Sequence, residues 1–451
     1  MQIDRRGLIA GSVASAAALA GMAVAAPLAA QGLQGLDAAQ LGVRPGAPDD
    51  QTARLQRAID RAARAQAPLW LPPGVYRAGD LKLSAGTQLI GVRGATRLVL
   101  THGPALMSAH GAAAITLQGL TLEGGDIALP QGSGLVHLVA GKAVRIADCT
   151  LTGAGGNAVL LAQCDGDVSR NTILGAADNA LFCTDSRGLV VSANTIRNSG
   201  NGGIRIFQSE KRHDGSIVAD NTIEDTQARA GGSGQNGNGV NVYRAADVIV
   251  RNNVIRRAAF TAVRGNAAHN IQILGNHCFA LKETAMYSEF DFEGAVIANN
   301  FIDTAENGIA VANFNEGGRL AIVSGNLIRN VGVRRPDNPP EGAGLGIAVE
   351  AETAVTGNVI EVAPSAGIQV GWGPYLRNVT VAGNVIRDAG YGIRVSVVKG
   401  VGDATISGNV IAGARLGAVV GMEWHKAVTG DLAKDGAARY PHLTVTNNQV
   451  R

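Results

Sequence analysis

Eleven side chains in the middle of the chain are of types that together handle sugars. Arg205 and Arg264 are suited to hold carboxylates through two parallel N–H donors, Phe207, Tyr243 and Tyr287 offer rings that stack on pyranoses, and Asn241 and Asn266 offer amides to hydroxyls. β-Elimination from a uronate needs its carboxylate neutralised and the neighbouring proton removed. Arg264 is the expected neutraliser. Tyr287, or a deprotonated Lys211 or neutral His213 in the segment SEKRHDG, is the expected base. Hydrolysis is the second reading, with Glu289 and Glu350 as an acid and base pair and Asp291 and Glu283 as nearby alternatives.

A repeat must position these residues, because they share no linear motif. Segments such as SRNTI, ADNTI, ANNFI, TGNVI and SGNVI place an Asn at 171, 194, 221, 253, 276, 300, 326, 358, 384, 409 and 448. The shortest spacings are 23 to 26 residues, and the longer ones of 27, 32 and 39 carry inserted loops. GLTLEGG and DCTLTGA are earlier units with Leu120 and Cys149 in place of Asn. After each Asn come an apolar pair, a polar turn and a strand opening on Gly, as in GIRIF at 203 and GIAVE at 346. Three short period-two strands per unit exclude helical repeats and predict coils of a right-handed parallel β-helix. With about 4.8 Å per coil, about thirteen coils make a rod of roughly 60 Å. Asn is expected at one corner, tolerating a left-handed backbone and bonding the next coil through its amide. Gly is expected to permit the other corner.

Alternation along the strand opening on Gly predicts two outward columns. One runs through Arg205, Asn241, Arg264, Tyr287, Ala310, Ala348, Gln369 and Arg394, the other through Phe207, Tyr243, Asn266, Glu289, Ala312 and Glu350. Long insertions at 224 to 238 and 330 to 345 precede this face, and SEKRHDG, FDFEG and FNEGG follow it on the opposite edge. A groove over residues 203 to 350 is therefore expected. Glu289 and Glu350 fall two coils apart, about 9 to 10 Å, at the upper edge for an inverting pair. Glu289, Asp291 and Glu293 alternate along FDFEG and would supply part of a calcium site.

Residues 41 to 91 read as the cap that an open coil end requires. Asp49 or Asp50 is the expected helix N-cap, Leu55, Ile59 and Ala62 form the buried face, and LWLPPGVYRA follows as a strand. LGV, DD, the helix containing RAID, LWLPPGVYR and LIGV resemble the entry to the pectate-lyase-like right-handed β-helix superfamily. With the double Arg near the start, the chain also resembles the bacterial twin-arginine-translocated repeat proteins. The superfamily resemblance implies an all-β, single-stranded solenoid, and it spans lyases, hydrolases, epimerases, phage tailspikes and proteins without catalysis, so it leaves the reaction open. No Asp cluster resembling the polygalacturonase site and no Tyr-Gly-x-Asp-Pro-His pattern of the alginate epimerases is present.

The rest of the chain sets the compartment and narrows the partners. DRRGLIA at residues 4 to 10, with Arg5 and Arg6 before an Ala-rich apolar run, reads as a twin-arginine signal peptide over residues 1–30, which implies a periplasmic protein without a stable membrane anchor. Its removal takes away two arginines and one aspartate, leaving a net charge of +2. Residues 31–115 then hold the cap and first coils, and 116–451 the β-helix repeats. A near-neutral chain with 4% aromatics excludes a nucleic-acid surface and leaves an acidic polysaccharide as the expected partner, beside the export machinery. The four cysteines form no C-x-x-C and read as small buried residues. The non-enzyme reading is a glycan-binding scaffold. Copper delivery is disfavoured by only 5 Met and 8 His without clusters. Trp372, Trp424 and His425 read as packing residues, and the insert from Glu423 to His442 as the C-terminal cover.

The chain has 61 Gly, and all 29 Asn lie after residue 156. Both excesses find their place in the repeat.

Overall fold

The computed structural model describes residues 35–312, 318–332 and 342–451. The signal segment, most of FNEGG and the centre of the second insertion lie outside the described residues.

From Gly35 to Arg451 the chain winds as a right-handed parallel β-solenoid of about thirteen turns. Each turn contributes three short strands, as in Gly202–His213, Ile217–Ala219 and Thr222–Glu224. Period-two alternation turns one or two apolar residues of each strand inward, and stacking the turns converts these into ladders. Ile204, Val240, Val263, Met286, Ile309 and Ile347 form one, Val218, Val250, Ile273 and Ile297 a second, and Ile223, Ile255, Cys278 and Ile302 a third, all buried. All four cysteines are free and buried; Cys278 occupies a position filled by Ile in the coils on either side. Among the described residues, no helix is long and apolar enough to cross a membrane.

The eleven Asn form a continuous ladder. Each Oδ1 accepts from the backbone N–H and side-chain amide of the Asn one coil earlier, as Asn194 does from Asn171 at 3.0 Å in both cases. Each Nδ2 also donates to a carbonyl of the preceding coil, Asn194 to Val168 at 2.8 Å. At the start of the ladder the Cys149 N–H donates to Asn171 Oδ1 at 2.9 Å in place of an earlier Asn. The left-handed residue at this corner is the one before the Asn: Arg170, Ala193, Asp220, Asn252 and Gly275 have φ of 55°, 54°, 59°, 55° and 62°. The expectation of a left-handed ladder Asn is thus corrected. Its amide links the coils while its predecessor makes the turn.

Gly at the strand start also differs from expectation, because it supplies space and not a left-handed φ. A β-carbon on Gly308 would lie 2.2 Å from the Gly346 carbonyl oxygen and 2.8 Å from Ile328 Cγ2. Gly203 meets the Gly239 carbonyl oxygen and Ile223 in the same way. Gly308→Ala is expected to destabilise by about 1–3 kcal/mol through overpacking. Urea denaturation measures it; an unchanged midpoint would rule out the close approach.

Both ends are covered. The N-terminal helix Thr52–Arg64 buries Leu55, Ile59 and Ala62. Its N-cap residue is Gln51, whereas Asp50 bonds the Thr52 N–H at 3.0 Å and Asp49 pairs with Arg44 and Arg54, which corrects the expected cap. At the C-terminus, Val419–Glu423 and Lys426–Asp431 form an antiparallel hairpin followed by the short helix Leu432–Asp435. Asp431 accepts from the N–H groups of Ala418 (2.9 Å), Val419 (3.1 Å) and Ala433 (3.1 Å), so its carboxylate satisfies donors at the last strand and the last helix.

Candidate functional site

The strands that open on Gly stack in unbroken register, pairing Phe182, Arg205, Asn241, Arg264, Tyr287, Ala310, Ala348, Gln369 and Arg394 in one column. Phe207, Tyr243, Asn266, Glu289 and Ala312 pair in the second. Ala310 pairs with Ala348 and Val311 with Val349, so the register places Glu350 beside Ala312.

The face divides into a covered half and an open half. Over Arg205, Asn241 and Arg264 lies the first insertion. Asn241 Nδ2 donates to the Gly234 and Gln235 carbonyls at 3.0 and 3.3 Å, and Arg264 Nη1 to the Ser233 carbonyl at 3.0 Å. Arg205 bonds the Asn236 side chain and lies near the Phe182 and Phe207 rings, 5.9 and 5.7 Å from their centroids. Phe207 also meets Tyr243, centroids 5.3 Å apart. Burial holds the Arg205 guanidinium below its ordinary pKa, against an opposing pull from Asp178. Arg205, Asn241 and Arg264 are 8%, 1% and 7% exposed, so they form a packed layer and not the floor of an open groove.

Arg264 is the hub of this layer. Nε and Nη2 donate to the two oxygens of Glu289 at 2.6 and 2.9 Å, and Nη1 reaches Glu283 Oε2 at 3.4 Å. Its guanidinium lies 4.8 Å over the Tyr287 ring. Burial opposes the charge, but Glu289 and Glu283 more than offset it and raise the pKa above the usual arginine value. Asn266 adds a third bond to Glu289, 2.9 Å. Thr261 Oγ1 fixes Glu283 at 2.9 Å. Burial pushes the Tyr287 phenol up, so it keeps its proton at neutral pH.

Beyond this layer opens a pocket of about 400 Å³. Ala310, Ala312 and Ala348 make a shallow floor, Tyr287 and Glu289 stand at one end, and Glu350, Gln369, Trp372 and His425 at the other. Among the described residues, no Lys or Arg lines it. Glu289 and Glu350 are 5% and 6% exposed, and two coil rises separate their backbones by about 9 to 10 Å. The pocket thus gathers Tyr287, Glu289 and Glu350 from the sequence-derived set.

Lys211 and His213 lie elsewhere, at the far end of the long strand Gly202–His213. Lys211 pairs with Asp291 and His213 Nδ1 with Asp247 at 2.6 Å. Burial and then Arg244 lower the Lys211 pKa. Neither residue lines the pocket. The alternation expected along FDFEG is broken by a left-handed Phe290, φ 58°. As a result Glu289 turns to Arg264, Asp291 to Lys211 and Glu293 to Arg319 (2.6 Å), and the three carboxylates meet different cations. Among the described residues, no three His, Cys, Asp or Glu side chains gather as a metal site.

The sequence assigns Trp372 and His425 to packing alone. Trp372 does pack, its ring centroid 5.6 Å from that of Trp424 and 4.5 Å from that of His425, yet both Trp372 and His425 line the pocket. They stand in GWGPY and in the terminal hairpin, outside the repeat pattern. Glu283 reads in the sequence only as an alternative carboxylate because it precedes its strand.

A family model described as right handed beta helix region matches residues 105–235 and 212–386. Among solved structures, an N-terminal fragment of bacteriophage Phi29 gene product 12 aligns at 14% identity and TM-score 0.56, over 85% of this chain and 68% of that one. The catalytic unit of a thermostable GH87 alpha-1,3-glucanase from Streptomyces thermodiastaticus aligns at 16% and 0.46, over 93% and 69%. The A-module of the Azotobacter vinelandii mannuronan C-5 epimerase AlgE6 aligns at 16% and 0.38, over 92% and 99%. No curated protein matches. At such identities the phage likeness is one of fold.

Proposed function

The chain belongs to the right-handed β-helix family, and from its pocket we propose that it binds a glycan and hydrolyses it with inversion of the anomeric centre. One observation carries this reading: Glu289 and Glu350 face the same pocket two coils apart with only Ala312 between them. Two coil rises put their backbones about 9–10 Å apart, at the upper edge of the about 6.5–9.5 Å between carboxyl groups that holds a water on one side of the sugar and the leaving oxygen on the other. Glu289, which accepts bonds from Arg264 and Asn266, is the base for the water, and Glu350 is the acid. The Trp372 ring supplies a stacking surface and the Ala floor gives the sugar room.

β-Elimination asks more of Arg264, which already holds two carboxylates. The two reactions differ in product. Against a panel of neutral and acidic polysaccharides, new reducing ends without ultraviolet absorbance from a carbon–carbon double bond are expected, and proton NMR of the first product should show the inverted anomer. Absorbance accompanying chain cleavage would establish elimination instead, and binding without either would leave a glycan-binding scaffold. We further propose twin-arginine export to a periplasm, supported by Arg5 and Arg6 before the apolar run.

A further inference from the structure

Arg394 continues the column that contains Arg205 and Arg264, and differs from Arg264 in its company. It is 7% exposed. Its Nη2 donates to Gln369 Oε1 at 2.5 Å, and among the described residues no carboxylate pairs with it. Burial lowers its pKa, with only Tyr391 pulling the other way. A guanidinium taken out of water without a counter-charge is unfavourable, which is why buried arginines are usually paired.

The surroundings say where a counter-charge would enter. Arg394 faces a void of about 10 Å³, room for about one water, between Gly371, Gly373 and Trp424. Gln369 lines both this void and the large pocket. Trp372 and Trp424, packed edge to face at 79°, wall the two spaces. Among the described residues, a flexible amide side chain is thus what the uncompensated buried cation and the end of the pocket share. Arg394 lies two coils beyond Glu350, about 10 Å or roughly one to two sugar units.

We propose that Arg394 is the anion-recognition residue of this site: Gln369 swings aside and a uronate carboxylate of the glycan takes its place in a two-pronged bond. This rests on the pocket being the glycan site, and places recognition of the acidic group away from the bond that breaks. The cost of burying Arg394 is met in the complex and not in the free protein, so affinity depends on the carboxylate.

The test is equilibrium binding of two- to four-residue oligomers from pectate, alginate and hyaluronan to the full chain. Each is compared with its carboxyl-reduced counterpart at matched ionic strength. Wild type should bind at least one oligomer 10-fold or more tighter than its reduced form. Arg394→Met should abolish that preference while melting no lower than wild type without ligand, because it removes an uncompensated charge. A merely structural arginine would instead lower the melting temperature. Arg394→Lys, which keeps charge but not the fork, should lose most of the preference. No preference in wild type, or one unchanged in Arg394→Met, overturns the proposal, and the wild-type comparison decides even should the Met variant not fold. Glu350→Gln should retain the preference. Absent hydrolysis with the preference intact removes the hydrolase reading alone, whereas hydrolysis without any preference removes this inference alone.

Discussion

Glu350→Gln is expected to lower turnover on an unactivated glycan by about 10²–10⁴-fold, the usual contribution of a positioned acid or base. Binding should change little, since the amide keeps the shape of the carboxyl. Glu289→Gln should lose turnover to a similar degree, but with a second consequence. Glu289 is one side of a buried two-pronged pair with Arg264, 2.6 and 2.9 Å, leaving Glu283 at 3.4 Å as that guanidinium's remaining carboxylate. Removing one partner of a buried pair typically costs about 3–5 kcal/mol. The Glu289→Gln protein should therefore melt lower than wild type, and Glu289→Gln combined with Arg264→Met should recover part of that loss without recovering activity. The roles separate by leaving group. An activated aryl glycoside, which needs no protonation, should spare Glu350→Gln and not Glu289→Gln. Full turnover of Glu350→Gln on the unactivated substrate would remove it from the reaction.

The columns carrying these residues are legible because two independent periodicities set them. Asn at one corner counts the coils, and alternation along the strand assigns inward and outward, so a slip of one residue would put Ile204 outside and Arg205 inside. Exposure is a different matter. Whether an outward residue meets solvent depends on the insertion folded over it, and the bonds from Arg264 and Asn241 go to main-chain carbonyls of Ser233, Gly234 and Gln235, which any sequence offers. For the same reason the sequence hides the role of Trp372: its place beside the pocket is set by the terminal hairpin that brings His425 against it. Gly308 shows a third limit. Its recurrence in the repeat is plain, but a close approach of carbonyl oxygen and a left-handed turn call for the same residue, and only distances separate them.

Asn276→Ala is expected to be among the most destabilising single substitutions in the scaffold. Asn276 is fully buried; its Oδ1 accepts from the Asn253 N–H and amide, both 3.0 Å, and its Nδ2 donates to Val250 at 3.0 Å and Asn300 at 3.1 Å. Ala leaves the Asn253 N–H, one Asn253 amide hydrogen and the Val250 carbonyl without these partners in a dry corner. At about 1–3 kcal/mol for each buried group left unpaired, a loss of about 3–9 kcal/mol follows. Asn448 makes the same kinds of bond at the last rung, to Asn409 at 3.1 and 2.9 Å and to Ile406 at 3.0 Å, but it is only half-buried and water can replace it. Asn448→Ala should therefore cost only about 0.5–1.5 kcal/mol, the net worth of a bond that water can replace. Equal losses at the two positions, measured by urea denaturation, would show that the ladder acts through something other than buried polar satisfaction. Because the Asn ladder and the strand pairing join each coil only to its neighbours, the Asn276 defect should also weaken coupling along the rod. Hydrogen exchange should then show the coils on the two sides opening separately in Asn276→Ala and together in wild type.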